Sequence, residues 1–307
     1  MNIDRKTVLY AIGVAFLLIF PYLTPYTALA SNVLIFMLFA MAYDICLGYA
    51  GMLSFGHAAF FGAGAYTTAL FILHLKANVF VAIGAGMLVS LIISYPIGFL
   101  AIRRRGIYFA MVTLAFAQML YFIAFKWVSL TGGDDGLQGV PRPDLFGLSL
   151  QSEIRIYYFI LGFLILAIVF ATRFVGSPFG KALISIRENE QRAMSIGFNP
   201  ARFKLVAFII SATLSGLAGS LYCLLQNFVP LNSLHWPLSG EIVMMTILGG
   251  MGTLIGPLFG GMFIVLVREV LSTYTRLWAL FMGVSFVVII MAFRRGIVGE
   301  LRKRVRL

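Results

Sequence analysis

The groups in this chain that could do acid–base, nucleophilic or metal chemistry are few and poorly spaced for it. Its three histidines, His57, His74 and His235, are scattered, which argues against a proton relay or a metal centre. Cys46 and Cys223 each lie in an apolar stretch and read as small buried thiols. No H-E-x-x-H, C-x-x-C or G-x-S-x-G pattern occurs. The nearest approach to a phosphate-binding loop, Gly180-Lys181, runs into Ala182 and lacks the first glycine. Any ATP chemistry therefore belongs to another chain, and this one is read as non-catalytic. Asp134-Asp135-Gly136 invites calcium, but a calcium loop needs oxygens at alternate positions and a distant glutamate. A tight turn fits it better.

Three charges sit inside apolar runs, where ionisable groups are costly and default to functional candidates. Arg268 and Glu269 are adjacent, so their side chains diverge on a helix and each needs a partner elsewhere. Asp44 precedes Gly48 closely enough to cap backbone left open at a glycine break. Were it instead an ion-coupling site, the chain would be a stand-alone secondary transporter.

Glycine interrupts two apolar segments, Gly48 to Gly56 and Gly249 to Gly256, the second followed by Gly260. Each glycine costs a helix interior about 1 kcal/mol relative to alanine. Gly249, Gly250, Gly252 and Thr253 are therefore candidates for the border of a translocation path or its gate, with close helix packing as the alternative. Ser211, Ser215 and Gly219 form a small-residue stripe at i, i+4 and i+8.

Elements of a particular kind must position these groups. Hydrophobic residues make up 61% of the 307 and charged ones 11%, and the mean hydropathy is +0.98. A soluble domain carries about 25% charged residues, so this chain cannot cover a water-facing surface. It reads as a single all-α polytopic membrane domain over 1–307. About ten transmembrane helices are expected, at 8–22, 29–47, 53–75, 79–102, 107–125, 154–172, 205–228, the short 241–248, 255–271 and 277–293. Arg5-Lys6, the first apolar run and Ala28-Leu29-Ala30 imitate a cleavable leader. Pro21 and Pro25 intervene and many spans follow, so the first helix is read as retained.

Ten spans put both termini on one side. That side receives Arg5, Lys6, Arg103 to Arg105, the basic residues from Arg173 to Lys204 and the tail from Arg294. Lys76, Lys126, Arg142, Arg155 and Arg276 fall opposite. The positive-inside bias makes the first side cytoplasmic. The net charge of +12 is thus a topology signal, not a nucleic-acid footprint, and the tail 294–307 reads as an anchor. The loop at about 126–153 is then external and that at about 173–204 cytoplasmic. In the latter, Ser177-Pro178 starts a helix and Gly197 with Pro200 stops it. Leu183, Ile186, Ala193 and Ile196 would form its apolar side, with Arg187, Glu188, Glu190 and Arg192 exposed. Such a helix lies on lipid or fits a partner's groove, and its mixed charges favour the partner. An internal pseudo-repeat, inverted or parallel, is hinted at by the likeness of Ala101-Ile102-Arg103-Arg104-Arg105-Gly106-Ile107 to Ala292-Phe293-Arg294-Arg295-Gly296-Ile297.

Several motifs, in order along the chain, resemble permeases of branched-chain amino acid ABC importers of the LivM type. The first is Gly48-Tyr49-Ala50-Gly51-Met52-Leu53-Ser54-Phe55-Gly56-His57 with the residues to Tyr66, followed by Arg105 to Gln118. Next come Thr131 to Gly136 with Pro141-Arg142-Pro143, and Arg187 to Ala193 with Gly197. The last is Gly249-Gly250-Met251-Gly252-Thr253 with Gly256-Pro257. The resemblance implies a multi-pass permease of the bacterial inner membrane that binds no cofactor itself. Its implied partners are a second, homologous permease in a heterodimer, two cytoplasmic ATPase subunits carrying ATP and Mg, and a periplasmic substrate-binding protein. Related permeases carry urea, amides or aromatic acids. Arg187, Glu188, Glu190, Arg192, Ala193 and Gly197 match the coupling helix that meets the ATPase; of the loose E-A-A-x-x-x-G shape of importers, only Ala193 and Gly197 hold. Ser54 and His57 become candidates for the path or gate. The path itself is expected to be apolar with a few hydroxyls, since branched aliphatic side chains need no ion pair.

Overall fold

The computed structural model describes residues 5–142 and 151–275, and single positions from there to 296. The expected tenth span at 277–293, the tail 294–307 and positions 143–150 of the 126–153 loop lie largely outside the described residues. The helices are α1 (Arg5–Leu23), α2 (Thr27–Asp44), α3 (His57–Leu75), α4 (Val79–Ala101), α5 (Ile107–Lys126), α6 (Val128–Thr131), α7 (Glu153–Gly176), α8 (Pro178–Glu188), α9 (Glu190–Ser195), α10 (Pro200–Gln226), α11 (Trp236–Gly249) and α12 (Ile255–Tyr274). No strand forms among the described residues; the antiparallel bridge Leu137–Val229 ties the 126–153 loop to the chain just after α10.

Seven helices are long and apolar enough to cross a membrane: α2 with its continuation to Tyr49, α3, α4, α5, α7, α10 and α12. The first expected span falls on α1 and the short eighth on α11, whose 14 residues reach only about 21 Å. α3 starts at His57, later than the 53 expected, because the chain leaves helical geometry after a π turn at Ile45–Tyr49 and crosses Gly51 at φ +70°.

α2 is the axis of the bundle. It is apolar all round and buried on nearly every side, packed by α7, α10, α11 and α12. α10 lies against α3 and α4 as well, and the small-residue stripe is what admits it. A Cβ at Gly219 would collide with the Phe61 carbonyl oxygen, so no larger residue lets these backbones approach so closely. Beside it the Ser220 hydroxyl donates to Gly216 O at 3.0 Å and to Gly64 O at 3.3 Å. By contrast α4 turns Val81, Leu88, Ile92 and Phe99 outward, a face suited to lipid.

Helix ends are closed by side chains the sequence does not pair. Arg142 donates from Nε to Leu224 O at 3.1 Å and from Nη2 to Leu225 O at 2.7 Å, satisfying carbonyls that the end of α10 leaves open. The divergence expected of Arg268 and Glu269 holds: Arg268 Nη1 pairs with Glu241 Oε1 at 2.7 Å, and Glu269 accepts from the Tyr26 hydroxyl.

Candidate functional site

The two glycine breaks meet. Asp44 ends α2 fully buried, and its carboxylate accepts from the Gly252 amide at 2.8 Å and the Leu254 amide at 3.1 Å. Asp44 thus caps backbone as expected, but at the far break rather than its own. A Cβ on Gly48 would collide with both the Asp44 carboxylate and the Gly252 amide. Across the contact, Gly252 sits at φ +74° and Leu254 at φ +56°, backbone that a leucine holds only at a cost of about 1–3 kcal/mol. The Asp44 bond to the Leu254 amide helps sustain that conformation.

The third party is Arg187, from the last turn of α8. Its guanidinium donates to Gly48 O and its stem passes 3.0 Å from where a Gly51 Cβ would stand. It also lies 3.1 Å from the Cβ position of Gly252 and acts electrostatically on Asp44. One side chain from the 173–204 loop therefore touches both breaks at the point where they join. Arg187 is expected on the exposed side, and the residue is indeed exposed, but its tip is committed inward.

The remaining glycines divide by role. A Cβ on Gly249 would collide with Gly256 O, and one on Gly260 with Met245 O, so these seat α11 on α12. Gly250, at φ +115°, makes the turn, with its amide donating to Thr246 O at 3.1 Å. The Thr253 hydroxyl donates to Gly250 O at 2.8 Å and accepts from Gly256 N at 2.9 Å, capping α12.

Ser54 and His57 lie behind this junction with no exposed surface. The Ser211 hydroxyl donates to Ala42 O at 2.6 Å, so it can only accept, at 2.9 Å, from His57 Nε2–H. Nδ1 is then an acceptor and takes the Ser54 hydroxyl proton at 3.1 Å, while Ser54 Oγ accepts from the Gly56 amide. His57 is neutral in this chain of bonds. Tyr43 completes it, donating to Ser54 O at 2.9 Å and accepting from Ser54 N at 3.1 Å. The group ties α2, α3 and α10 together and fixes the first break. Ser211→Ala should leave a buried N–H unpaired at about 1–3 kcal/mol, lowering the thermal unfolding midpoint of the purified protein. An unchanged midpoint would remove the bond from the account.

The expected single helix of the 173–204 loop is two, α8 and α9, because Asn189 leaves helical geometry to accept from the Arg192 amide at 2.9 Å. Ser177 caps α8 by accepting from Gly180 N at 3.3 Å. Leu183, Ile186 and Ala193 are buried as expected. Ile196 is not: it is 68% exposed, beside exposed Met194 and Phe198, because Gly197 at φ +92° turns the chain away after α9. Glu190 differs too. It is half-buried and held by Lys204 at 2.8 Å and Arg105 at 3.3 Å, while Glu188, Arg192 and Gly197 are exposed. Nothing in the local pattern pairs Glu190 with a residue as distant as Arg105; nor does it point to Tyr43 or to the joining of Ser211 with His57.

Comparison with known proteins places the chain as a whole. LivM, the high-affinity branched-chain amino acid transport system permease protein of Escherichia coli, is 27% identical, with 99% of this chain and 79% of LivM covered. LivM of Salmonella typhimurium is 28% identical over 91% of this chain and 71% of its own length. LivH of the same organism is 24% identical over 77% and 82%. No solved structure matches. With residues 26–293 matched by the model of the branched-chain amino acid transport system permease component, this chain, whose buried carboxylate locks two glycine breaks under one arginine, belongs to that family.

Proposed function

We propose that this chain is the transmembrane permease subunit of an ATP-binding-cassette importer moving branched-chain or related hydrophobic amino acids into the cytoplasm. It crosses the inner membrane ten times with both termini cytoplasmic, in two halves related by a repeat. A second, homologous permease completes the pathway, two ATPase subunits bind ATP and Mg, and a periplasmic binding protein delivers substrate. The names of the LivM and LivH relatives support the substrate class and the second permease.

The observation that carries the reading is Arg187. A carrier driven from outside itself needs a lever between the driving subunit and the closed path, and a shift at the lever must favour one state over the other. α8 and α9 supply that lever: Met194, Ile196 and Phe198 are free to be covered by an ATPase groove, and Arg187 transmits the motion to Gly48.

Co-expression with its neighbouring transport subunits tests this. The tagged chain should bring down two ATPases and the second permease, and the reconstituted complex should take up leucine only with ATP and a loaded binding protein. Ile196→Asp should release the ATPases while the two permeases stay together. Uptake by the chain alone under an ion gradient would overturn the reading.

A further inference from the structure

We propose that a cavity bounded by α2, α3, α10, α11 and α12, with Gly283 also in its lining, holds the amino acid in transit, with Glu241 receiving its ammonium and Arg268 its carboxylate. This rests on the function proposed above and locates the substrate within it. The cavity measures about 570 Å³, within the range of about 300–1,000 Å³ that small-molecule sites occupy. Phe36, Phe61 and Tyr222 form one wall, their ring centroids 5.4 to 6.5 Å apart. Leu238 and Met244 add aliphatic surface. Such walls suit a branched hydrocarbon side chain.

The charges are what single the cavity out. The Glu241–Arg268 pair, 2.7 Å long, lies in the lining with its side chains 22% and 24% exposed, so neither group is sealed off. Arg268 also lies over the Phe36 ring, 5.1 Å from its centroid, which holds the guanidinium at the wall. Ion pairs at membrane depth are costly to desolvate, and one that only tied α11 to α12 would need no chamber beside it.

A zwitterion carries the complementary pair of charges. It can enter by exchanging partners: its ammonium replaces the guanidinium on Glu241 as its carboxylate takes Arg268. No net charge is then carried into the apolar bundle. The expected lining of apolar residues with a few hydroxyls answers the substrate's side chain but not its charged head. Position fits as well. The cavity reaches Pro230 and Ser233, just past the end of α10 opposite its Pro200 start, and α11 runs from Glu241 about 12 Å to Gly249, next to Gly250 and the Asp44 junction. One rigid half-helix thus joins the chamber to the lock.

The test uses the full complex in proteoliposomes. Glu241→Gln with Arg268→Gln removes both charges together, leaving no orphaned ion. Assembly of the complex should be retained while leucine uptake falls about tenfold or more. Wild-type uptake by the assembled double variant would overturn the proposal and make the pair structural. A second measurement serves if that variant does not assemble. Met244→Cys places a thiol in the chamber, against native thiols that are both buried. ATP with loaded binding protein should slow its maleimide labelling relative to ATP with unloaded protein; equal rates would overturn the proposal. Failure of the unaltered complex to take up leucine would instead sink the functional reading, so the two failures are told apart.

Discussion

Arg187→Gln should separate ATP hydrolysis from transport. The assembled complex should still hydrolyse ATP, while uptake per ATP falls about tenfold or more. The magnitude follows from the bond: a hydrogen bond from a charged donor contributes about 1.5–3 kcal/mol, and here it joins α8, the proposed lever, to Gly48 O at the meeting of both breaks. Glutamine is shorter, so its amide cannot reach the carbonyl from the same α8 position, and it carries no charge to set against Asp44. The exposed residues proposed to meet the ATPase, Ile196 and Phe198, are untouched by the change. Hydrolysis and uptake measured on one preparation decide the matter. Equal loss of both would mean that Arg187 serves docking, and retention of both would remove it from the lever.

Much of this arrangement is legible in the residues alone. The glycine runs, the buried carboxylate and the capped loop helix are each visible because each leaves a local signature: missing side chains in an apolar run, a charge where water is absent, a Ser-Pro start. What is not legible is which of them touch. Asp44 lies four residues before Gly48, and proximity in sequence points to that break. Its carboxylate instead reaches Gly252 and Leu254, a contact made only once α2 and α12 pack. Glu190 reads as a free surface charge until Arg105 and Lys204 arrive from other segments. Ile196 shows the reverse error, since helical spacing puts it on the buried side of a continuous helix, whereas the Asn189 cap and the turn at Gly197 restart and redirect the chain. Long-range pairing, not composition, decides such cases.

The same geometry makes Asp44→Asn more damaging than its near-identical shape implies. Both carboxylate oxygens accept from backbone, one from Gly252 N at 2.8 Å and the other from Leu254 N at 3.1 Å. Asparagine offers one acceptor and an NH2. Whichever way the amide turns, one of the two N–H groups faces another donor, and a buried donor left unpaired costs about 1–3 kcal/mol. Leu254 has little margin, because its φ of +56° is already unfavourable. The loop at 250–254 should therefore open more often, and its amides should exchange hydrogen about 5- to 150-fold faster on the same energy scale. ATP-dependent uptake should fall with it, since the defect is a lost acceptor for the loop. An ion-coupling carboxylate would behave otherwise: the variant would keep a protected loop and lose only the dependence on an ion gradient. Hydrogen exchange and uptake on the same variant distinguish the lock from the ion site, and unchanged protection at Gly252 and Leu254 would dismiss the lock.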